Sequence, residues 1–167
     1  QYDFDYVYGS VHFVKDFMID HPDHQDKFKT KSILNIYQDY FYTIQQAAQS
    51  HLFDIIAHID VIKKFNYRPN EDITKLLEET IDILKKNNVI IEMNTSGLRK
   101  PCQEIYPDFR LLKICQKKGL NIILGSDAHK KEEIGFAFNE AINLLKKAGY
   151  EKLAIFEKRK IKSFFLI

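Results

Sequence analysis

The chain has 167 residues, enough for one domain with a real core, and its 45% hydrophobic and 29% charged residues make an ordinary globular mixture. A net charge of +2 gives no strong field to favour nucleic acid or an anionic membrane, and no apolar run approaches the roughly 20 residues of a membrane helix. Two cysteines, Cys102 and Cys115, make no disulfide framework, so the expected compartment is a reducing cytoplasm, and no signal peptide is visible.

Residue 1 is Gln, and the chain opens almost inside a strand, which reads as a piece of something longer. Tyr6 to Phe13 is the first expected strand, rich in aromatic and β-branched residues. "MIDHPDHQDKF" (18–28) then reads as a solvated loop, with His21 and His24 beside Pro22. Thr30 to Ser50 places Ile33, Ile36, Tyr37, Tyr40, Phe41 and Ile44 at helical spacing. His51, just after it, is read as structural. Asp54 to Asp60 is the second strand. A helix over Asp72 to Asn87 follows, capped by Asn70 or Asp72 after Pro69. Val89 to Thr95 is the third strand, Pro107 to Lys118 a shorter helix, and Asn121 to Gly125 the fourth strand. Lys131 to Ala148 is the last helix. Gly119 and Gly149 suit the left-handed position after a helix. Lys152 to Glu157 is a fifth strand and Lys160 to Leu166 a sixth, with the basic "EKRKIK" read as a solvated edge. The β-α alternation predicts parallel strands with crossover helices. An open doubly wound sheet and a barrel both satisfy it, and no glycine-rich nucleotide loop follows a strand.

The strand ends share a chemistry. The first ends on "YGSVHF" with His12, the second on "IIAHID" with His58 and Asp60. The third gives "IIEMNTSGLRK", with Glu92, Asn94 and then Arg99, and the fourth gives Asp127 and His129. In a β/α barrel such ends face one mouth, so residues distant in sequence converge there. Imidazole and carboxylate donors suit zinc, iron or manganese. Ions of that kind activate water and hold an anionic phosphate. The alternative for His12 and His58 is a structural histidine. For Asp127 and His129 it is a cap on the following helix. Their recurrence at equivalent strand ends favours metal. Arg99 offers a planar fork to phosphate oxygens, against a plain surface arginine. The run "KKF", Lys63 to Phe65, a turn beyond His58, adds a cation. Cys102 and Cys115 lack metal-site spacing and read as incidental thiols.

Taken together, "YGSVHF", "IIAHIDVIKKF", "IEMNTSGLRK" with "EIYP", and "LGSDAHKKEEIG" resemble the histidinol-phosphatase branch of the PHP (polymerase and histidinol phosphatase) family. The resemblance runs in order over essentially the whole chain. It implies a distorted (β/α)7 barrel of the TIM-like kind, incomplete here at the N-terminus, with residues 1–167 forming the C-terminal two-thirds of a single PHP domain. It implies up to three zinc, iron or manganese ions and hydrolysis of L-histidinol phosphate in histidine biosynthesis. It also implies metal ligation by His12, His58, Asp127 and His129. Asp127 and His129 are the expected catalytic pair, with Asp127 orienting the hydrolytic water and shuttling its proton. Arg99 and Lys64 resemble contacts to the substrate phosphate. Glu92 and Asn94 resemble residues that hold the ligands or orient the substrate. The family's His-x-His pair, and a further His and Glu before the "GSVHF" strand, have no counterpart in this sequence. The expected partner is a small phosphate ester, with no nucleic acid or membrane, and no oligomeric state is implied. Another phosphomonoester, a nucleic-acid end, or a non-catalytic binding module are the alternatives left open.

Overall fold

The computed structural model describes residues 3–167. In chain order the elements are β1 (Tyr8–Gly9), β2 (Phe13–Val14), β3 (Phe17–Met18), α1 (Asp26–Thr30), α2 (Ile33–Gln49), β4 (Ile55–Ile56), α3 (Thr74–Lys86), β5 (Ile90–Asn94), α4 (Phe109–Lys117), β6 (Ile122–Gly125), α5 (Phe138–Ala148), β7 (Lys152–Glu157) and β8 (Lys160–Leu166). Four strands form one sheet in the order β1-β4-β5-β6, every pair parallel. The sheet is open, with β1 and β6 as its edges, so no barrel closes.

Successive side chains of a strand face opposite ways, and the sheet uses both faces. Ile56, Ile91, Met93 and Ile122 join the large core built with the helices. Ile55, Ile90 and Ile123 turn the other way, against Ala154, Phe156 and Ile161 of the β7–β8 hairpin. Helices, sheet and hairpin thus make three layers. On the helical side, Ile44 of α2, Ile81 and Leu84 of α3, Leu112 of α4 and Leu145 of α5 are fully buried. Removing one such side chain from water contributes about 2 kcal/mol. Ser32 and Asp108 cap α2 and α4, accepting from the Asn35 and Leu111 amides at 3.3 and 2.9 Å. Gly149 closes α5 at φ +99, a left-handed position that costs glycine nothing.

Several expectations are corrected. The first two strands pair over two residues each, not eight and seven. β4 stops because, after the Ala57 amide has donated to the Gly9 carbonyl, His58 at φ +26 turns the chain toward a one-turn helix at Val61–Lys63. The segment 152–157 does not extend the parallel sheet: it pairs antiparallel with β8. The last helix begins at Phe138, not Lys131. Gly135 at φ +71 and Ala137 at φ +55 break it, leaving Lys131–Glu133 as an isolated turn. The expected solvated loop holds a helical turn at Pro22–His24 after the small β2–β3 hairpin, and its last residues open α1. No helix among the described residues is long and apolar enough to cross a membrane.

Candidate metal and phosphate site

The C-terminal ends of β1, β4, β5 and β6 point the same way, because the strands are parallel. At that end lies a cavity of about 300 Å³. His12, His58, Asp127 and His129 all line it. Four side chains separated by up to 117 residues are therefore brought to one place by the sheet order.

His58 is the most constrained. It is 6% exposed and sits at φ +26, a region that costs a residue with a Cβ roughly 1–3 kcal/mol. Its amide donates to Glu92 Oε2 at 3.2 Å, and its carbonyl accepts from the Val61 amide at 2.8 Å. Its ring meets His12 edge-on at 5.1 Å and Tyr106 at 6.3 Å. Burial, aided by the neighbouring His12 charge, lowers its basicity, so the ring is held neutral. Its Nδ1 is buried and has no hydrogen-bond partner among the described residues.

His12 is half-buried. Its Nδ1 lies 3.2 Å from Asp20 Oδ2, and that hydrogen bond raises its basicity. Burial pushes the Asp20 carboxyl up, but His12 and Lys64 outweigh it and hold it below its usual range. Lys64 reaches the same residue, donating to the Asp20 carbonyl at 2.7 Å. Asp127 follows β6 at φ +48, and its Oδ2 accepts from Ser96 Oγ at 3.1 Å. His129 stands at the rim, 79% exposed by side chain, its Nδ1 3.0 Å from the Asp127 carbonyl. Neither Asp127 nor His129 caps α5, which starts nine residues beyond His129 with no side-chain cap.

Glu92 and Asn94 lie beneath this wall. Glu92 Oε2 accepts from the His58 amide and from Asn94 Nδ2 at 2.7 Å, while Asn94 Oδ1 accepts from the Ser96 amide at 2.9 Å. Burial raises the Glu92 carboxyl. Gly125 is required beside it: a Cβ there would sit 2.0 Å from Glu92 Oε1.

Arg99 lies beside the cavity with its Nη1 buried and without a hydrogen-bond partner among the described residues. Its Nη2 donates to the Ser126 and Asp127 carbonyls at 2.9 and 3.2 Å, and its guanidinium lies 5.0 Å over the Phe136 ring. It braces the backbone that carries Asp127. Lys100 lines the cavity instead, beside Lys64, and Lys100 Nζ has no partner among the described residues. Sequence reasoning did not single out Lys100, Ser96 or Asp20, and Tyr106 entered only as part of "EIYP". The stretch "NTSGLRK" contains Lys100, one residue past Arg99. His21 and His24 hold local turns, accepting from the Asp23 and Met18 amides. Cys102 and Cys115 are buried free thiols.

No three His, Cys, Asp or Glu side chains among the described residues stand close enough together to hold a metal ion by themselves. Yet a neutral imidazole with an unpartnered buried nitrogen, beside a second imidazole and a carboxylate in one cavity, is a donor set that fits part of a metal site.

Comparison with known proteins decides the family. The sequence profile described as the PHP domain matches residues 1–96, more than half of the chain. The chain belongs to the PHP family. A second profile, described as PHP-associated, matches residues 109–144 of this PHP chain. The "probable histidinol-phosphatase" of Deinococcus radiodurans is 34% identical over 148 residues, covering 89% of this chain and 56% of that protein. The protein of the same description from Clostridium acetobutylicum is 28% identical, over 97% of this chain and 64% of its own length. The PHP chain thus spans between 56% and 64% of the length of these two relatives. Its fold is similar to the crystal structure of histidinol phosphate phosphatase from Lactococcus lactis, solved with zinc, L-histidinol and phosphate. The TM-score is 0.75 at 24% identity, over 97% of this chain and 63% of that one.

Proposed function

We propose that the full-length protein hydrolyses L-histidinol phosphate to L-histidinol and phosphate. The observation that carries this reading is the cavity at the parallel strand ends, where His12, His58, Asp127, His129 and the free Lys100 meet. The likeness to histidinol-phosphatases over 89% and 97% of the chain supports the choice of substrate. Residues 1–167 are read as the C-terminal two-thirds of one PHP domain. Its open sheet, with β1 as a free edge, is read as part of a distorted (β/α)7 barrel.

His12, His58, Asp127 and His129 would hold divalent ions, up to three in the full-length protein, of zinc, iron or manganese. Such ions would supply Lewis acidity and bring the pKa of water down toward neutral. The chain's own residues do the rest. His58, kept neutral by burial, offers a nitrogen without first losing a proton. Asp127, steadied by Ser96 Oγ, is placed to take the proton of the attacking water. Lys100 and Lys64 face the phosphate oxygens as point charges and balance charge as the P–O bond breaks. Arg99 acts one step back, holding the Ser126–Asp127 carbonyls so that the Asp127 carboxylate keeps its direction.

The test is a comparison of kcat/KM for L-histidinol phosphate with that for glycerol phosphate and p-nitrophenyl phosphate, using full-length protein. The reading expects the first to exceed the others by at least about 100-fold, since a site built for the imidazole and amine gains from groups the others lack. Equal values, or a preference for a simple phosphate, would remove the substrate from the proposal.

A further inference from the structure

Behind His58 lies an ion pair that takes no part in the cavity. Lys63 is 1% exposed and Asp60 5%. Lys63 Nζ donates to Asp60 Oδ2 at 2.7 Å and to the Ile105 carbonyl at 2.9 Å, with the Glu104 carboxylate 3.4 Å away. Asp60 Oδ2 also accepts from the Asp108 amide at 2.8 Å. The ammonium stands 5.2 Å over the Tyr106 ring.

A buried ion pair is a weak source of net stability, because desolvating two charges offsets their attraction. What this one does is mechanical. The turn after β4 and the loop 104–108 share no strand ladder, and the Lys63 and Asp60 bonds tie them together. Each tied segment sends one ring to the candidate site: His58 from the turn, Tyr106 from the loop, their centroids 6.3 Å apart. His58 also keeps its left-handed backbone, which persists only where the surroundings over-determine it. We infer that the buried Asp60–Lys63 pair is a positioning device that sets His58 and Tyr106 against the cavity, so that breaking it weakens metal binding and turnover beyond any loss of fold. This rests on the metal-site reading above.

The test uses full-length protein and the variants Lys63→Met, Asp60→Ala and Asp60→Asn. Zinc affinity is read by competition with a chromophoric chelator, without substrate, well below each variant's melting temperature. Kinetics with L-histidinol phosphate are measured in parallel. Groups that orient metal ligands from behind typically cost 10- to 100-fold when removed, so Lys63→Met and Asp60→Ala are each expected to lose about tenfold or more in zinc affinity and in kcat, with KM within about threefold. Asp60→Asn keeps an oxygen for both the Lys63 and Asp108 donors but leaves the Lys63 ammonium only the Glu104 carboxylate, so it is expected to fall between wild type and Asp60→Ala. Whichever of the two disruptive variants melts cooperatively decides the matter. Wild-type zinc affinity and kcat in that folded variant overturn the inference, as does an Asp60→Asn as impaired as Asp60→Ala. If wild type binds zinc but releases no phosphate from L-histidinol phosphate, the substrate reading falls while the zinc affinities still decide the role of the pair.

Discussion

Gly125 and Glu92 are in contact across neighbouring strands, and that contact controls where the His58 amide points. A methyl at position 125 would lie 2.0 Å from Glu92 Oε1. Gly125→Ala therefore drives the carboxylate off the His58 and Asn94 donors, at about 1–3 kcal/mol, the usual cost of overpacking. A lower urea midpoint together with weaker zinc binding is the expected result, and unchanged zinc affinity would show that Glu92 does not hold His58. The cations beside it divide by task. Lys100 is free to meet the phosphate, so Lys100→Ala is expected to raise KM for L-histidinol phosphate about tenfold with kcat little changed, the signature of lost ground-state binding. Arg99 gives its Nη2 to the Ser126 and Asp127 carbonyls, so Arg99→Ala is expected to lower kcat and stability more than it raises KM. Steady-state kinetics on both variants check the contrast, and a reversed pattern would return Arg99 to the phosphate. The strand-end histidines and Asp127 were legible in the sequence because a donor on the end of an apolar run is anomalous wherever it lands. Lys100, Ser96 and Asp20 were not, since each lies on a loop whose approach to the cavity depends on the packed fold.

At the scale of elements, the four parallel strands and α2 to α5 carry the periodicities that made them readable. Leu84 of α3 is 0% exposed, and Leu84→Ala is expected to cost 2–5 kcal/mol in urea unfolding, against about 1 kcal/mol for Asp108→Ala, which removes the cap of α4. Equal costs would mean that the helical layer is not the main store of stability. The strands Lys152–Glu157 and Lys160–Leu166 match their expected bounds, but the hairpin pairings were harder to read for a physical reason. β2 and β3 join through Lys15 and Asp16, with Lys15 at φ +52, and β7 and β8 join through Lys158 and Arg159 at φ +50 and +61. Tight hairpin turns with positive φ normally advertise themselves by Asn-Gly or Asp-Gly. Here charged residues take the strained positions, and Arg159 is tied down from outside by Asp54 at 2.9 Å. The signal lies in that long-range ion pair and not in the turn itself. The start of α5 was misplaced for a similar reason: Ala137, a good helix former, stands at φ +55.

Over the whole molecule, the β7–β8 hairpin covers one face of the sheet but turns apolar side chains outward. Phe165 is 60% exposed and Leu166 76%, with Ile155 also open. Patches of that kind lower solubility. Replacing Phe165 and Leu166 together by Lys is expected to raise the concentration at which this chain stays monodisperse in sedimentation, and no change would show that the face is harmless. The same view explains why the expected barrel is not what the described residues form. The β-α alternation specifies parallel strands but not whether they close, and here β1 and β6 are free edges. A metal-dependent phosphatase site at the strand-end cavity is checked by measuring phosphate release from L-histidinol phosphate by full-length protein as isolated, after chelator treatment, after zinc is restored, and in Asp127→Asn. Release is expected to be removed by chelation, restored by zinc, and lowered by at least about 100-fold in Asp127→Asn, as loss of general base catalysis does. Release that survives complete removal of metal, or near-wild-type turnover in Asp127→Asn, would contradict it.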